Sequence, residues 1–202
     1  MIQRFSKIIL EYLLKSNVIE NTDTDKEYYQ YGIEITISSL LNIFLILVIG
    51  TVTRSFFESI IFLICVIIIR QFTGGFHADT YLKCNLIFCI SFIAVLILYY
   101  ATAKYLSTYI SILITFVCVS IILLNCPIEH INKSIPSNKK NVHKTVAALL
   151  GTVYGAIGTL LTAFSNRYGA LVIYTLSLVT VLVIAAIVKE RRVNNENNDK
   201  DK

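Results

Sequence analysis

Between two long apolar runs the chain gathers Arg70, Gly74, Gly75, His77, Asp79, Lys83 and Cys84 within fifteen residues. A thiol becomes a nucleophile when a base takes its proton or a cationic surrounding stabilises the thiolate. His77 and Cys84 supply the two groups in one short connection. On a straight helix, positions seven apart differ by about 10.5 Å along the axis, at ~1.5 Å per residue, which is beyond the reach of a base. The segment is therefore expected to bend. Gly74 and Gly75 permit a sharp turn, and Asp79 and Thr80 are both good N-caps ahead of the apolar run that Tyr81 begins. Cys84 is thus expected in the first turn or two of a helix, with His77 on the bend before it. There the positive helix end and the charges of Arg70 and Lys83 favour a thiolate. From the residues alone a second reading stays open, a polar loop with an incidental cysteine whose glycines turn the chain and whose cations mark an interface.

The elements that must position this segment are membrane-spanning helices. Of 202 residues 55% are hydrophobic and 15% charged, and the charges form islands between uncharged runs. Residues 35–53, 84–103, 105–128, 145–166 and 168–188 are charge-free over 19, 20, 24, 22 and 21 positions, each sufficient to cross a hydrocarbon core of ~30 Å as a helix of about 20 residues. A sixth run, residues 59–69, has only 11 such positions, so its helix must borrow from Arg54 to Glu58 or stop short. The runs are apolar on every side rather than alternating, which excludes an outer-membrane barrel. The fold class expected is all-α: a polytopic membrane protein of six transmembrane helices, the second one short, preceded by an N-terminal amphipathic interfacial helix.

The cations test that count. Fifteen of the 18 Lys and Arg residues fall on the side of both termini, leaving Arg54, Lys104 and Arg167 on the other. With the basic side cytoplasmic, both termini and the His77 to Cys84 segment face the cytoplasm. The net charge of +5 then reflects loops beside anionic lipid, and no nucleic-acid partner is implied. In residues 1–30, Ile2, Phe5, Ile9, Tyr12 and Leu13 follow helical spacing while Lys7, Glu11 and Lys15 interrupt any signal-like core; the segment is expected to lie on the inner surface or to pack on the cytoplasmic ends of the spans. Residues 189–202 read as a disordered polar tail, and the whole chain as one membrane domain. Cys65, Cys89 and Cys118 sit in apolar runs and Cys126 at an inner helix end facing a reducing compartment, so no disulfide framework is expected. His77, His130 and His143 lack paired ligand spacing; neither a metal nor another cofactor is expected.

The segment from Arg70 through Gly75, His77 and Ala78 to Cys84, set in an inner loop of a roughly 200-residue chain, resembles the accessory gene regulator protein B (AgrB) family. Similar too is a basic inner loop in which Pro127 and Pro136 enclose Lys133 and are followed by Lys139, Lys140 and Lys144. The likeness covers nearly the whole chain in layout and is specific in residues at 70–84. It implies a membrane cysteine endopeptidase of the Gram-positive cell membrane that acts on an AgrD-type propeptide of a cyclic quorum-sensing signal. His77 and Cys84 take the catalytic positions; Arg70, Gly74 and Gly75 support them. Lys133, Lys139, Lys140 and Lys144 are expected to attract the acidic part of the propeptide, and a homodimer is expected alongside lipid contacts. Asp79, Glu34 and Gln71 are candidates to orient His77 or to hold an oxyanion.

Three other classes make different demands: a metal-type intramembrane peptidase needs paired glutamates and histidines inside spans, and the charge-free runs hold none. A small transporter calls for broken helices or charges midway through spans, and the charge-free runs hold neither; a non-catalytic membrane scaffold makes no demand on His77 or Cys84.

Overall fold

A computed structural model describes residues 2–16, 23–74, 80–128 and 137–200. Among them the chain is all-α, with no strand. Helix α1 runs over Ile2–Lys15, α2 over Asp23–Val52, α3 over Phe56–Thr73, α4 over Tyr81–Thr102, α5 over Thr108–Asn125, α6 over Ser137–Ala163 and α7 over Tyr168–Lys200. Six of these carry stretches long and apolar enough to cross a membrane, Tyr29–Val52, Phe56–Thr73, Tyr81–Tyr105, Thr108–Asn125, Lys140–Ala163 and Tyr168–Arg191. The short second span reaches membrane length by adding Phe56 to Glu58 at its start and Arg70 to Thr73 at its end, around the uncharged 59–69 core.

Successive spans alternate in direction. Residues 53–55 join α2 to α3, where Ser55 N donates to Gly50 O at 2.6 Å. A 3-10 turn, Ala103–Tyr105, leads from α4 toward α5. This end of the bundle is tied by Ser55 Oγ and Tyr100 OH at 2.9 Å and by Thr102 Oγ1 and Tyr174 OH at 2.7 Å. At the opposite end, Ser38 on α2 meets Asn85 on α4, Thr73 accepts from Ile128, and Phe72 lies against the His143 ring. That end gathers the starts of α2, α4 and α6 and the finishes of α3 and α5, so six crossings leave the chain's two ends on one side.

Helix α7 is the axis of the bundle. Over the most apolar stretch of its span 56% of residues are buried, against 44% for α3 and 17% for each of α2 and α5, so α7 and α3 are the most enclosed of the six. Helices α3, α4, α5 and α6 pack on α7, α2 packs on α3 and α4, and α1 packs on α2. Aromatic packing fills the α3–α4 seam, where Phe62 is stacked with Phe88 and Phe92. The α5–α6 seam closes because Gly155 leaves its space to Thr115, the small-residue contact that lets membrane helices approach.

Helix α7 runs on to Lys200, into the 189–202 stretch whose composition reads as a polar tail. Extending a helix already nucleated inside the bundle adds one hydrogen bond per residue fixed, without a new nucleation penalty. Helix α1 covers half of the expected interfacial segment 1–30, with Phe5, Ile8 and Tyr12 exposed and Ser6 and Leu10 turned onto the bundle.

Candidate active site

The first turn of α4 carries the candidate nucleophile, Cys84. Thr80, at φ −135° and ψ 146°, is the N-cap, and its hydroxyl accepts from Lys83 N at 3.3 Å. Such a cap is worth about 1 kcal/mol and fixes where the helix begins. Cys84 closes that turn, its own N–H bonded to Thr80 O at 3.0 Å. The thiol is therefore at the positive end of the helix, as the spacing predicts, and is neither exposed nor buried.

Cys84 lines a narrow crevice with Arg70, Ile87, Phe88, Ser91 and Leu182. Ile87, Phe88 and Ser91 follow Cys84 at the three-, four- and seven-residue spacing of one helix face, so they were legible from the sequence once Cys84 was placed. Leu182 comes from α7, nearly a hundred residues away, and no local signal points to it. The two expected cations part company here. Arg70, in the last turn of α3, shares the crevice with the thiol, whereas Lys83 is exposed. A guanidinium offers fixed, charged donors to a developing oxyanion.

Gly74 ends α3 at φ +70°, and a Cβ there would run into the carbonyl oxygen of Ile128. Ile128 N donates to Thr73 O at 3.1 Å. The segment following α5 is thus strapped onto the end of α3, directly after Arg70. Gly75, His77, Ala78 and Asp79 lie outside the described residues, as do His130 and Lys133. Thr73 and Thr80, which bracket that loop, place its ends at the same end of the bundle as Cys84. Gln71 is exposed. Glu34 is buried and accepts from Ser6 Oγ and Gln30 Nε2, each at 3.0 Å, which makes it a structural anchor rather than a group open to substrate.

The other cysteines are placed differently. Cys65 and Cys118 are buried, and Cys89 is half-buried within α4. Cys126 follows the α5 span and is 4% exposed; burial pushes its thiol up to about 12, so it stays protonated at neutral pH. His143 packs its ring on Phe72, centroids 5.6 Å apart, on the α6 side of α3 rather than in the Cys84 crevice. Among the described residues no group of His, Cys, Asp and Glu is arranged to hold a metal ion. Lys140 is exposed and Lys144 half-buried at the start of α6; Lys139 belongs to the same helix.

A family model described as accessory gene regulator B matches residues 6–191. "Putative AgrB-like protein 2" of Clostridium perfringens (strain 13 / Type A) is 30% identical over 145 residues, covering 69% of this chain and 67% of that protein. "Putative AgrB-like protein" of Clostridium perfringens (strain SM101 / Type A) is 28% identical over the same share of each chain. No solved structure matches significantly.

Proposed function

Since the chain belongs to the accessory gene regulator B family, a family of quorum-sensing peptide processing, we propose that it is a membrane cysteine endopeptidase that cleaves an AgrD-like propeptide and closes the released signal into a ring. The observation that carries this reading is the placement of Cys84 at a capped helix start, in a crevice shared with Arg70, at the end of the bundle where the His77 loop begins and ends.

The chemistry runs in balanced steps. His77 takes the Cys84 proton, and the thiolate attacks a backbone carbonyl carbon of the propeptide. The oxyanion that forms is stabilised by the Arg70 guanidinium. The C–N bond then breaks; His77 returns the proton to the departing amine, and the upstream peptide stays on Cys84 as a thioester. A thiol or hydroxyl within the same peptide attacks that thioester, gives up its proton to His77, and releases the Cys84 thiolate with a thiolactone or lactone. Water and the internal nucleophile compete for one intermediate, so holding the nucleophile in place and thinning the water favours the ring.

In this reading the site end of the bundle is cytoplasmic, because the basic loops and both chain ends lie there. Lys133, Lys139, Lys140 and Lys144 form an electrostatic approach for an acidic propeptide segment, which weakens as salt shortens the screening length from about 8 Å. Lipids and a second copy of the chain complete the set of partners. The test is cleavage of a synthetic propeptide by full-length protein in liposomes: Cys84→Ala and His77→Ala should each abolish release of the C-terminal fragment while inserting normally. Cleavage by either variant at the wild-type rate would remove the assignment.

A further inference from the structure

The turn that carries Cys84 is held from one side by two polar rungs. On α2, Glu34 and Ser38 are four residues apart and are 7% and 6% exposed. On α4, Tyr81 and Asn85 have the same spacing and bracket Cys84. Four residues are about one helical turn, so each pair lies on one face of its helix. Ser38 Oγ donates to Asn85 Oδ1 at 2.8 Å, and the Tyr81 hydroxyl lies beside the Glu34 carboxylate, which Ser6 and Gln30 bond directly. Helices α2 and α4 run parallel, so the rungs stack in register, Glu34 with Tyr81 and Ser38 with Asn85. A third element joins them: Ser6 of α1 donates to Glu34, and Lys7 adds a favourable charge.

These rungs set the rotation of α4. Neighbouring residues on a helix point about 100° apart, from ~3.6 residues per turn. With Asn85 directed at α2, Cys84 is turned roughly a quarter of the way round, which is where Arg70 of α3 and Leu182 of α7 stand. The other contacts of α4 are mainly apolar, such as Phe88 and Phe92 against Phe62, and apolar contacts define a rotation less sharply because lipid tails solvate Leu and Ile as well as a neighbouring helix does. Buried polar groups, by contrast, lose their partners when the helix turns.

We propose that Glu34 and Ser38 are positioning residues for the Cys84 nucleophile, fixing the first turn of α4 so that the thiol faces Arg70, and that Glu34 wires α1 into the same arrangement. This rests on Cys84 being the nucleophile of the proposed function. The test uses full-length protein in liposomes with a synthetic propeptide, measuring C-terminal fragment release in a single turnover over a range of propeptide concentrations. Ser38→Ala and Tyr81→Phe should each lower the maximal rate roughly tenfold or more, as small misplacements of a reacting group do, while leaving the half-saturating concentration within about twofold. Ser38→Thr keeps the hydroxyl and should restore most of the rate. Glu34→Gln and Tyr81→Phe break one rung, so their double variant should be no slower than the slower single.

Loss confined to the half-saturating concentration would overturn the proposal. So would effects of Glu34→Gln and Tyr81→Phe that multiply, or Ser38→Thr as slow as Ser38→Ala. An inactive Cys84→Ala beside fully active Ser38→Ala and Tyr81→Phe overturns the positioning role alone; an active Cys84→Ala removes the nucleophile and this proposal with it.

Discussion

Replacing Gly74 with alanine tests the joint between α3 and the site loop. At φ +70° an L side chain costs about 1–2 kcal/mol. The new Cβ also meets the Ile128 carbonyl oxygen, and backbone cannot swing aside as a side-chain tip does. If the strap moves away, the bond from Ile128 N to Thr73 O is lost, a further ~1 kcal/mol. Together Gly74→Ala should destabilise the protein by about 2–3 kcal/mol. Gly32 provides the opposite case: it lies inside α2, and nothing stands within 4 Å of a Cβ built there. Gly32→Ala should stabilise by about 0.5–1 kcal/mol through the conformational freedom removed from the unfolded chain. Reversible denaturant unfolding in mixed micelles reads both changes, and propeptide cleavage by the same preparations reads the site. Cleavage by Gly74→Ala should fall by at least about tenfold, since a shift in the end of α3 carries Arg70 away from Cys84. Equal stability of Gly74→Ala and wild type, within about 0.5 kcal/mol, would show that the turn relaxes freely and that the strap does not hold the site, refuting the reasoning.

Three further outcomes follow from the same geometry. A membrane-permeant maleimide at neutral pH should label Cys84 and leave Cys126 unmodified, because Cys126 is 4% exposed and its thiol is raised to about 12; since a raised thiol pKa stabilises the fold below the ordinary value of 9.0 and that contribution fades as pH climbs toward about 12, wild-type stability should drop across this window and Cys126→Ala should show a shallower drop. A propeptide whose internal nucleophile is replaced by alanine should leave its upstream piece on Cys84 as a hydroxylamine-sensitive adduct, detected by intact mass; rapid turnover to a free linear acid would mean that ring closure happens elsewhere. Reporters fused to either end of the chain should both read as cytoplasmic, and cysteines placed at Arg54 and Arg167 should react with an impermeant reagent from outside; an externally exposed C-terminus would contradict six crossings with a basic inner face.

What was legible in the sequence is whatever propagates along a single helix. Five long charge-free runs and the shorter 59–69 run counted the spans, and Asp79 and Thr80 before an apolar run bounded the start of α4 and put Cys84 within its first turn or two. The hydropathy of the spans could not reveal how each is rotated. Lipid and protein interior are equally apolar, so a span lacks the one-sided pattern that a water-facing helix carries. Only the packed bundle decided that α7 is its axis, that Arg70 and not Lys83 shares the Cys84 crevice, and that Leu182 closes it. The partners of Gly74 and of the Glu34 and Ser38 rungs likewise come from other helices. Each of these is a relation between surfaces far apart in the chain, settled by buried polar groups finding partners and by the space a neighbouring helix leaves, neither of which has a signature at one position of the sequence.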